Sequence, residues 1–301
     1  MKKDLTKITD LNAEDIKQLI ESAFEYKAKF DKGIRSEDVL EGKSVAMIFE
    51  KPSLRTKVAF ELAAKYLGGT SVFLSSGQIF ASGNNEKGRE SIPDIARNLE
   101  RFCDLIFARV YSHDTIQILA QSVSKPVINA LCDLHHPTQA LADLMTIQWH
   151  KEKFDGLKVA FIGDGNNVAV SLMQACELMG IEFAIATPKG YEIPLEFANG
   201  HFQATNDPVE AVMDADVVYA DTFVSMGQEE DKLERLKEFE GFQVNSKLLS
   251  HAKPDAIFMH CLPAHRGEEV TDEVMDSSQS VIFDQAECRM HIAKALLSFY
   301  L

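Results

Sequence analysis

The chain has 301 residues, enough for about two domains. Its 46 Asp and Glu outweigh 31 Lys and Arg for a formal net charge of −15, which argues against a general binder of nucleic acid or anionic membrane. Hydrophobic residues are 46% and charged residues 26%, as expected of a globular protein with sizeable cores, and no apolar run approaches the ~20 residues of a membrane span. The opening MKKDLTKITDLNAEDIKQL has no apolar stretch behind its lysines, so it does not read as a secretory signal, and a cytoplasmic location is expected. The five cysteines (103, 132, 176, 261 and 288) are odd in number and lack zinc-finger spacing. Disulfides and a structural zinc are not expected, and all but Cys261 read as small core residues.

From the N-terminus, a first helix is predicted near Ala13–Phe30. Strands are then predicted at Ser44–Phe49, Ser71–Leu74, Asp104–Arg109, Pro126–Asn129, Lys158–Ile162, Glu182–Ala186, Asp216–Ala220, Ala256–His260 and Ser280–Phe283. Between them lie helical patterns at Lys57–Leu67, Ser91–Arg101, Thr138–Lys153 and Val168–Met179, with a last helix over Gln285–Leu301. This alternation reads as α/β with parallel sheets. A fresh strand at Lys158 after the long Thr138–Lys153 pattern marks a boundary near the middle. GQIFASGNNEKG, Gly77–Gly88, reads as a mobile loop. In open α/β sheets ligands bind beyond the carboxyl ends of strands, and the chemically suggestive residues fall there.

Ser53-Leu54-Arg55-Thr56-Lys57 follows the first strand and opens a helix. Helix N-termini attract phosphate through unpaired N–H groups, and hydroxyls plus a guanidinium fork add donors. An ordinary cap with one solvated arginine is the local alternative. His135-His136-Pro137-Thr138-Gln139 puts His136 at a helix mouth, where the neutral imidazole is favoured and can hydrogen-bond a carbonyl oxygen, whereas His135 reads as solvated or capping. Gly163-Asp164-Gly165-Asn166-Asn167 resembles the start of a dinucleotide fingerprint, but Val168 stands where the third glycine belongs, and Asn166 reads as a helix cap. Asp221, at a strand end ahead of Ser225-Met226-Gly227, suits a cationic amine or is a plain loop carboxylate. His260-Cys261-Leu262-Pro263 follows another strand, and Gln285-Ala286-Glu287-Cys288-Arg289 opens the last helix.

Taken in order, S-x-R-T, H-P-T-Q, G-D-G-N-N, D-x-x-x-S-M-G, H-C-L-P and Q-A-E-x-R resemble the aspartate/ornithine carbamoyltransferase family, on its ornithine-using side, across essentially the whole chain. The resemblance implies two doubly wound parallel-sheet domains joined by long helices, with the C-terminal helix packing back on the N-terminal domain. Residues 1–137 with 286–301 would bind carbamoyl phosphate and residues 138–285 ornithine. It implies transfer of the carbamoyl group to the δ-amine of L-ornithine, giving L-citrulline and phosphate in arginine biosynthesis or, reversed, in arginine catabolism. It implies a cytoplasmic homotrimer with no metal or cofactor.

Carried over by motif, Ser53, Leu54, Arg55 and Thr56 would hold phosphate, and Arg109 would bridge phosphate and carbonyl oxygen with Thr56 and His136. Gln139 and the Leu262 carbonyl would hold the carbamoyl amide, Arg289 would approach from the last helix, and Cys261 would lie close to the reacting amine. Asn167, Asp221, Ser225 and Met226 would contact ornithine. The chain departs from the commoner S-T-R-T-R at Leu54 and Lys57, and Leu54 would act through its backbone N–H. The lead-in after Gly77 also departs from the family's Q-x-G-x-x-E-S, so neither Gln78 nor Asn85 is assigned to a neighbouring active site.

Overall fold

The computed structural model describes residues 4–79, 90–198, 200–224 and 231–301. The chain divides into two compact units, Met1–Ala142 with Glu287–Leu301, and Asp143–Ala286.

The first unit contains α1 (Ala13–Asp31), β1 (Ser44–Phe49), α2 (Leu54–Tyr66), β2 (Thr70–Ser75), the single turn α3 (Ser76–Ile79), α4 (Ile92–Phe102), β3 (Leu105–Arg109), α5 (His113–Ser122) and β4 (Val127–Leu131). Its four strands are all parallel, in the order β2-β1-β3-β4. The inner strands β1 and β3 are buried almost throughout, which explains their continuous apolar runs. The order reverses between β1 and β3, so the turns after Phe49 and Arg109 open side by side, and these two residues are register partners. The expected Gly77–Gly88 loop begins inside α3, and from residue 80 onward it lies outside the described residues.

Next, α6 (Pro137–Lys151) starts in the first unit and ends in the second. The division falls within it, between Ala142 and Asp143, whereas the sequence pattern marks a boundary at Lys158 and the family resemblance implies one between Pro137 and Thr138. Its first turn is tied to the first unit, since the Thr138 hydroxyl donates to the Ala130 carbonyl at 3.4 Å.

The second unit holds β5 (Lys158–Ile162), α7 (Asn167–Met179), β6 (Glu182–Ala186), β7 (Gln203–Thr205), α8 (Pro208–Val212), β8 (Val217–Ala220), α9 (Lys232–Glu238), α10 (Ser246–Leu249), β9 (Ile257–His260) and α11 (Asp272–Met275). Its five strands are parallel in the order β7-β6-β5-β8-β9, reversing between β5 and β8. Asn166 caps α7 by accepting from the Val168 and Ala169 N–H groups, and Gly180 ends it in the left-handed conformation. The last helix, α12 (Ile282–Tyr300), begins in the second unit and ends in the first.

Two expectations need correction, and one strand has no counterpart among them. Ser280–Phe283 is not a strand: Ser280 makes one isolated bridge to Phe258, and α12 starts at Ile282, with Phe283 left 71% exposed. A four-residue apolar string fits a buried strand or a helix's first turn equally well, and here the helix prevails. Helix α2 starts at Leu54 rather than Lys57, because Ser53 caps it by accepting from the Thr56 N–H at 3.4 Å. The edge strand β7 is short and polar and carries no periodic signal in the sequence.

Candidate active site

In the first unit, the turns at the sheet reversal carry a cluster of donors. Ser53 caps α2, Leu54 projects its side chain outward at 75% exposure, and Arg55 sits half-buried in the first turn. Thr56 is buried and accepts from Arg289 Nη2 at 2.9 Å, while Arg289 Nη1 donates to Gln139 Oε1. A guanidinium from α12 thereby joins the first turns of α2 and α6. Arg109, at the end of β3, is buried, and its carbonyl accepts from the Glu50 N–H at 2.8 Å. His136 sits just before α6, and its carbonyl accepts from the Gln139 and Ala140 N–H groups. Burial, then the charges of Arg289 and Arg109, hold its imidazole well below the usual histidine range, so it is neutral at ordinary pH.

His135 does not match its reading as solvated or capping. It is 3% exposed, its ring meets that of His113 edge-on with centroids 4.9 Å apart, and burial with the His113 charge lowers its pKa to about 4. Lys51 belongs to the same region and received no role from the sequence. Half-buried over the Tyr111 ring at 4.5 Å, it has a pKa lowered by burial and by Arg109. Lys57 lies over the Phe73 ring at 3.8 Å and 3.8 Å from Glu61, an intrahelical and ring pairing that leaves Arg55 as the guanidinium of this turn.

In the second unit, Asp221 directly follows β8, beside the glycine turn that follows β5. Its buried carboxylate accepts from the Thr222 N–H at 2.8 Å and the Cys261 thiol at 3.1 Å on Oδ1, and from Asn166 Nδ2 at 2.9 Å on Oδ2. Asn166 is thus the cap the sequence predicts and also a clamp on Asp221, a role that no local pattern signals. Asn167 opens α7 half-buried, and Ser225 and Met226 lie outside the described residues. Gly165 is required by close approach: a Cβ there would stand 2.4 Å from the Ile193 nitrogen. The backbone after β6 therefore occupies the ground over this turn, and the dinucleotide resemblance goes no further. Arg235 ties the neighbouring loops, donating from Nε to the Phe223 carbonyl at 2.7 Å and from Nη2 to Asp164 Oδ2. Burial nevertheless pushes the Asp164 carboxyl upward.

Among the described residues, two groups each bring metal-type donor atoms within 4.8 Å of one another: Asp221 with His260 and Cys261, and His265 with Glu268 and Glu269. Protein hydrogen bonds account for the first: Asp221 takes the Cys261 thiol, and His260 is held by Glu269 and Leu262. All five cysteines are free thiols, and Cys261 alone is not fully buried.

The description "Aspartate/ornithine carbamoyltransferase, carbamoyl-P binding domain" matches residues 3–149, and "Aspartate/ornithine carbamoyltransferase, Asp/Orn binding domain" matches residues 155–300. The chain belongs to the aspartate/ornithine carbamoyltransferase family. It is similar to an ornithine carbamoyltransferase of Methanosarcina acetivorans, 51% identical over 99% of this chain and 98% of that one. The solved ornithine carbamoyltransferase of Pyrococcus furiosus matches with TM-score 0.92 at 48% identity, covering 98% of this chain and 96% of that one. That of Thermus thermophilus matches with TM-score 0.91 at 41% identity, covering 100% and 99%. Within this carbamoyltransferase family, the cluster of Thr56, Arg109, His136, Gln139 and Arg289 falls in the carbamoyl-P binding match, apart from Arg289 on the returning helix. Asn167, Asp221, Cys261 and Leu262 fall in the Asp/Orn match.

Proposed function

We propose that the chain transfers the carbamoyl group of carbamoyl phosphate to the δ-amino group of L-ornithine, releasing L-citrulline and phosphate. The observation that carries this is the Arg289 fork buried on Thr56 and Gln139, with Arg109 and the neutral His136 beside it. Two guanidinium groups, hydroxyls and a helix N-terminus suit a phosphate ester joined to a polar carbonyl. In this reading Ser53, Leu54 (through its N–H), Arg55 and Thr56 take the phosphate. Arg109, Thr56 and His136 share the carbonyl oxygen, and Gln139 and the Leu262 carbonyl hold the amide. Asn167, Asp221, Ser225 and Met226 take the α-amino and carboxylate end of ornithine, with Cys261 near the δ-amine.

Chemically, the uncharged δ-amine attacks the carbamoyl carbon, negative charge gathers on the former carbonyl oxygen, and the carbon–oxygen bond to phosphate breaks. Phosphate leaves with the bonding electrons, and the proton that the nitrogen gives up passes to a phosphate oxygen, so that hydrogen phosphate departs. Fixed cations and N–H donors stabilise the oxyanion without a protein nucleophile. A neutral His136 donates an N–H to it without adding a third positive charge between two arginines.

The reading includes a cytoplasmic homotrimer. Leu54 and Val58, one turn apart on α2, and Val72 on edge strand β2 leave apolar side chains exposed on the first unit, which suits a subunit contact. No described helix is long and apolar enough to cross a membrane.

The deciding assay is citrulline formation by purified protein from carbamoyl phosphate and ornithine, with putrescine, N-acetylornithine and aspartate as competing acceptors. Turnover with ornithine alone is expected. A preference for any other acceptor overturns the assignment, and light scattering tests the trimer.

A further inference from the structure

His260 ends β9 fully buried, directly before Cys261 and Leu262, yet nothing in the proposed chemistry uses it. Its backbone N–H and both ring nitrogens are engaged. Its backbone N–H donates to Gln285 Oε1 at 2.9 Å, and Gln285 is held in turn by donating to Asp143 Oδ1 at 2.7 Å and to the Tyr219 hydroxyl at 3.1 Å. Its ring Nδ1 lies 2.9 Å from the Leu262 backbone nitrogen, which carries a proton and can only donate. Nδ1 is therefore an acceptor, the ring proton sits on Nε2, and Nε2 donates to Glu269 Oε1 at 3.1 Å. Glu269, also fully buried, is fixed by the His265 N–H, which donates to the same oxygen at 2.6 Å.

This chain of bonds ends on a residue with an unusual backbone. Leu262 has φ +59°, a left-handed conformation that a branched aliphatic residue does not hold without support. The Leu262 N–H bond to Nδ1 is that support, and it sets the direction of the carbonyl on the following peptide. The same tautomer leaves His260 no lone pair to take a proton from Cys261, whose thiol hydrogen goes to Asp221 Oδ1 at 3.1 Å.

We infer that His260, fixed by Gln285 and Glu269, is a positioning residue that holds Leu262 in its left-handed conformation and so aims the Leu262 carbonyl. This rests on the proposed reading only in giving that carbonyl to the carbamoyl amide.

The test compares His260→Leu, which removes the acceptor, with His260→Asn, whose amide oxygen is bonded to Cγ as Nδ1 is and can take over the Leu262 N–H. Both lose the Glu269 bond, so both are expected to melt below wild type. Amide hydrogen exchange at Leu262 is expected to quicken at least 10-fold in His260→Leu and to stay near wild type in His260→Asn. In citrulline assays His260→Leu should lose about 100-fold in kcat/KM, the scale of a misplacement of about 1 Å, and His260→Asn should recover to within about 10-fold. Wild-type protection of Leu262 in His260→Leu, or equal loss of protection and activity in both variants, overturns the inference. If the wild type makes no citrulline but the exchange pattern is as stated, the functional reading falls and the positioning role stands.

Discussion

Arg289 and Thr56 are 233 residues apart in the chain, and Arg289 Nη2 donates to Thr56 Oγ1 at 2.9 Å. With its other nitrogen on Gln139, this one guanidinium on α12 links the first turns of α2 and α6. Arg289→Lys cannot serve both partners, because a single ammonium lacks the planar fork. We expect carbamoyl-phosphate binding and transition-state stabilisation together to weaken by about 2–4 kcal/mol. Arg55→Ala should cost a similar amount and Leu54→Thr almost nothing. Calorimetric titration with carbamoyl phosphate reads the binding part, and affinity within twofold of wild type would remove the altered arginine from the site.

Asp221 offers a buried carboxylate held by Asn166, Thr222 and Cys261. Asp221→Asn should raise the KM for ornithine strongly, on the scale of about 2–5 kcal/mol for a charge partner removed from a desolvated pair. The requirement for carbamoyl phosphate should change little. If the variant only melts lower and keeps its wild-type preference for ornithine over putrescine, Asp221 is a turn residue and not an acceptor contact.

Acid should weaken the first unit through His135. Its folded pKa of about 4 lies below the unfolded value near 6.5, so the unfolded chain takes up the proton first as pH falls. Stability is fully present above pH 6.5 and declines as pH drops from 6.5 to about 4, by on the order of 3 kcal/mol from this group. His113, also lowered chiefly by burial, works in the same direction. Urea midpoints at pH 7.5 and 4.5 should differ accordingly, and His135→Phe should flatten that difference.

Gly165→Ala should be costly and Gly180→Ala mild. The first places a Cβ 2.4 Å from the Ile193 nitrogen and 2.5 Å from the Glu192 carbonyl carbon, both backbone atoms, so the loop after β6 must move. A loss of about 2 kcal/mol or more is expected, together with a raised KM for ornithine. At Gly180 nothing lies within 4 Å, so only the left-handed backbone conformation opposes a side chain, at roughly 1 kcal/mol. Thermal melts that rank the two variants the other way would refute the close-approach explanation.

The strands Ser44–Phe49, Lys158–Ile162 and Glu182–Ala186 are legible from their apolar runs, because a strand covered on both faces must be apolar along its length. The caps at Ser53 and Asn166 are legible too, since capping is chemistry between neighbours in the chain. So is the order of motifs that places Thr56, Arg109, His136, Asp221 and Cys261 at or just beyond strand ends. Strand order, and with it which strand ends open side by side, was decided by tertiary structure, because a strand's pattern records its burial and not its neighbour. The same holds for Arg289 on Thr56, Asn166 on Asp221 and His260 beneath Leu262: each joins residues whose local sequences are indifferent to one another until the sheets form. His135 and the Ser280–Phe283 string show the reverse case, in which a local pattern admits two states and burial among distant residues selects one.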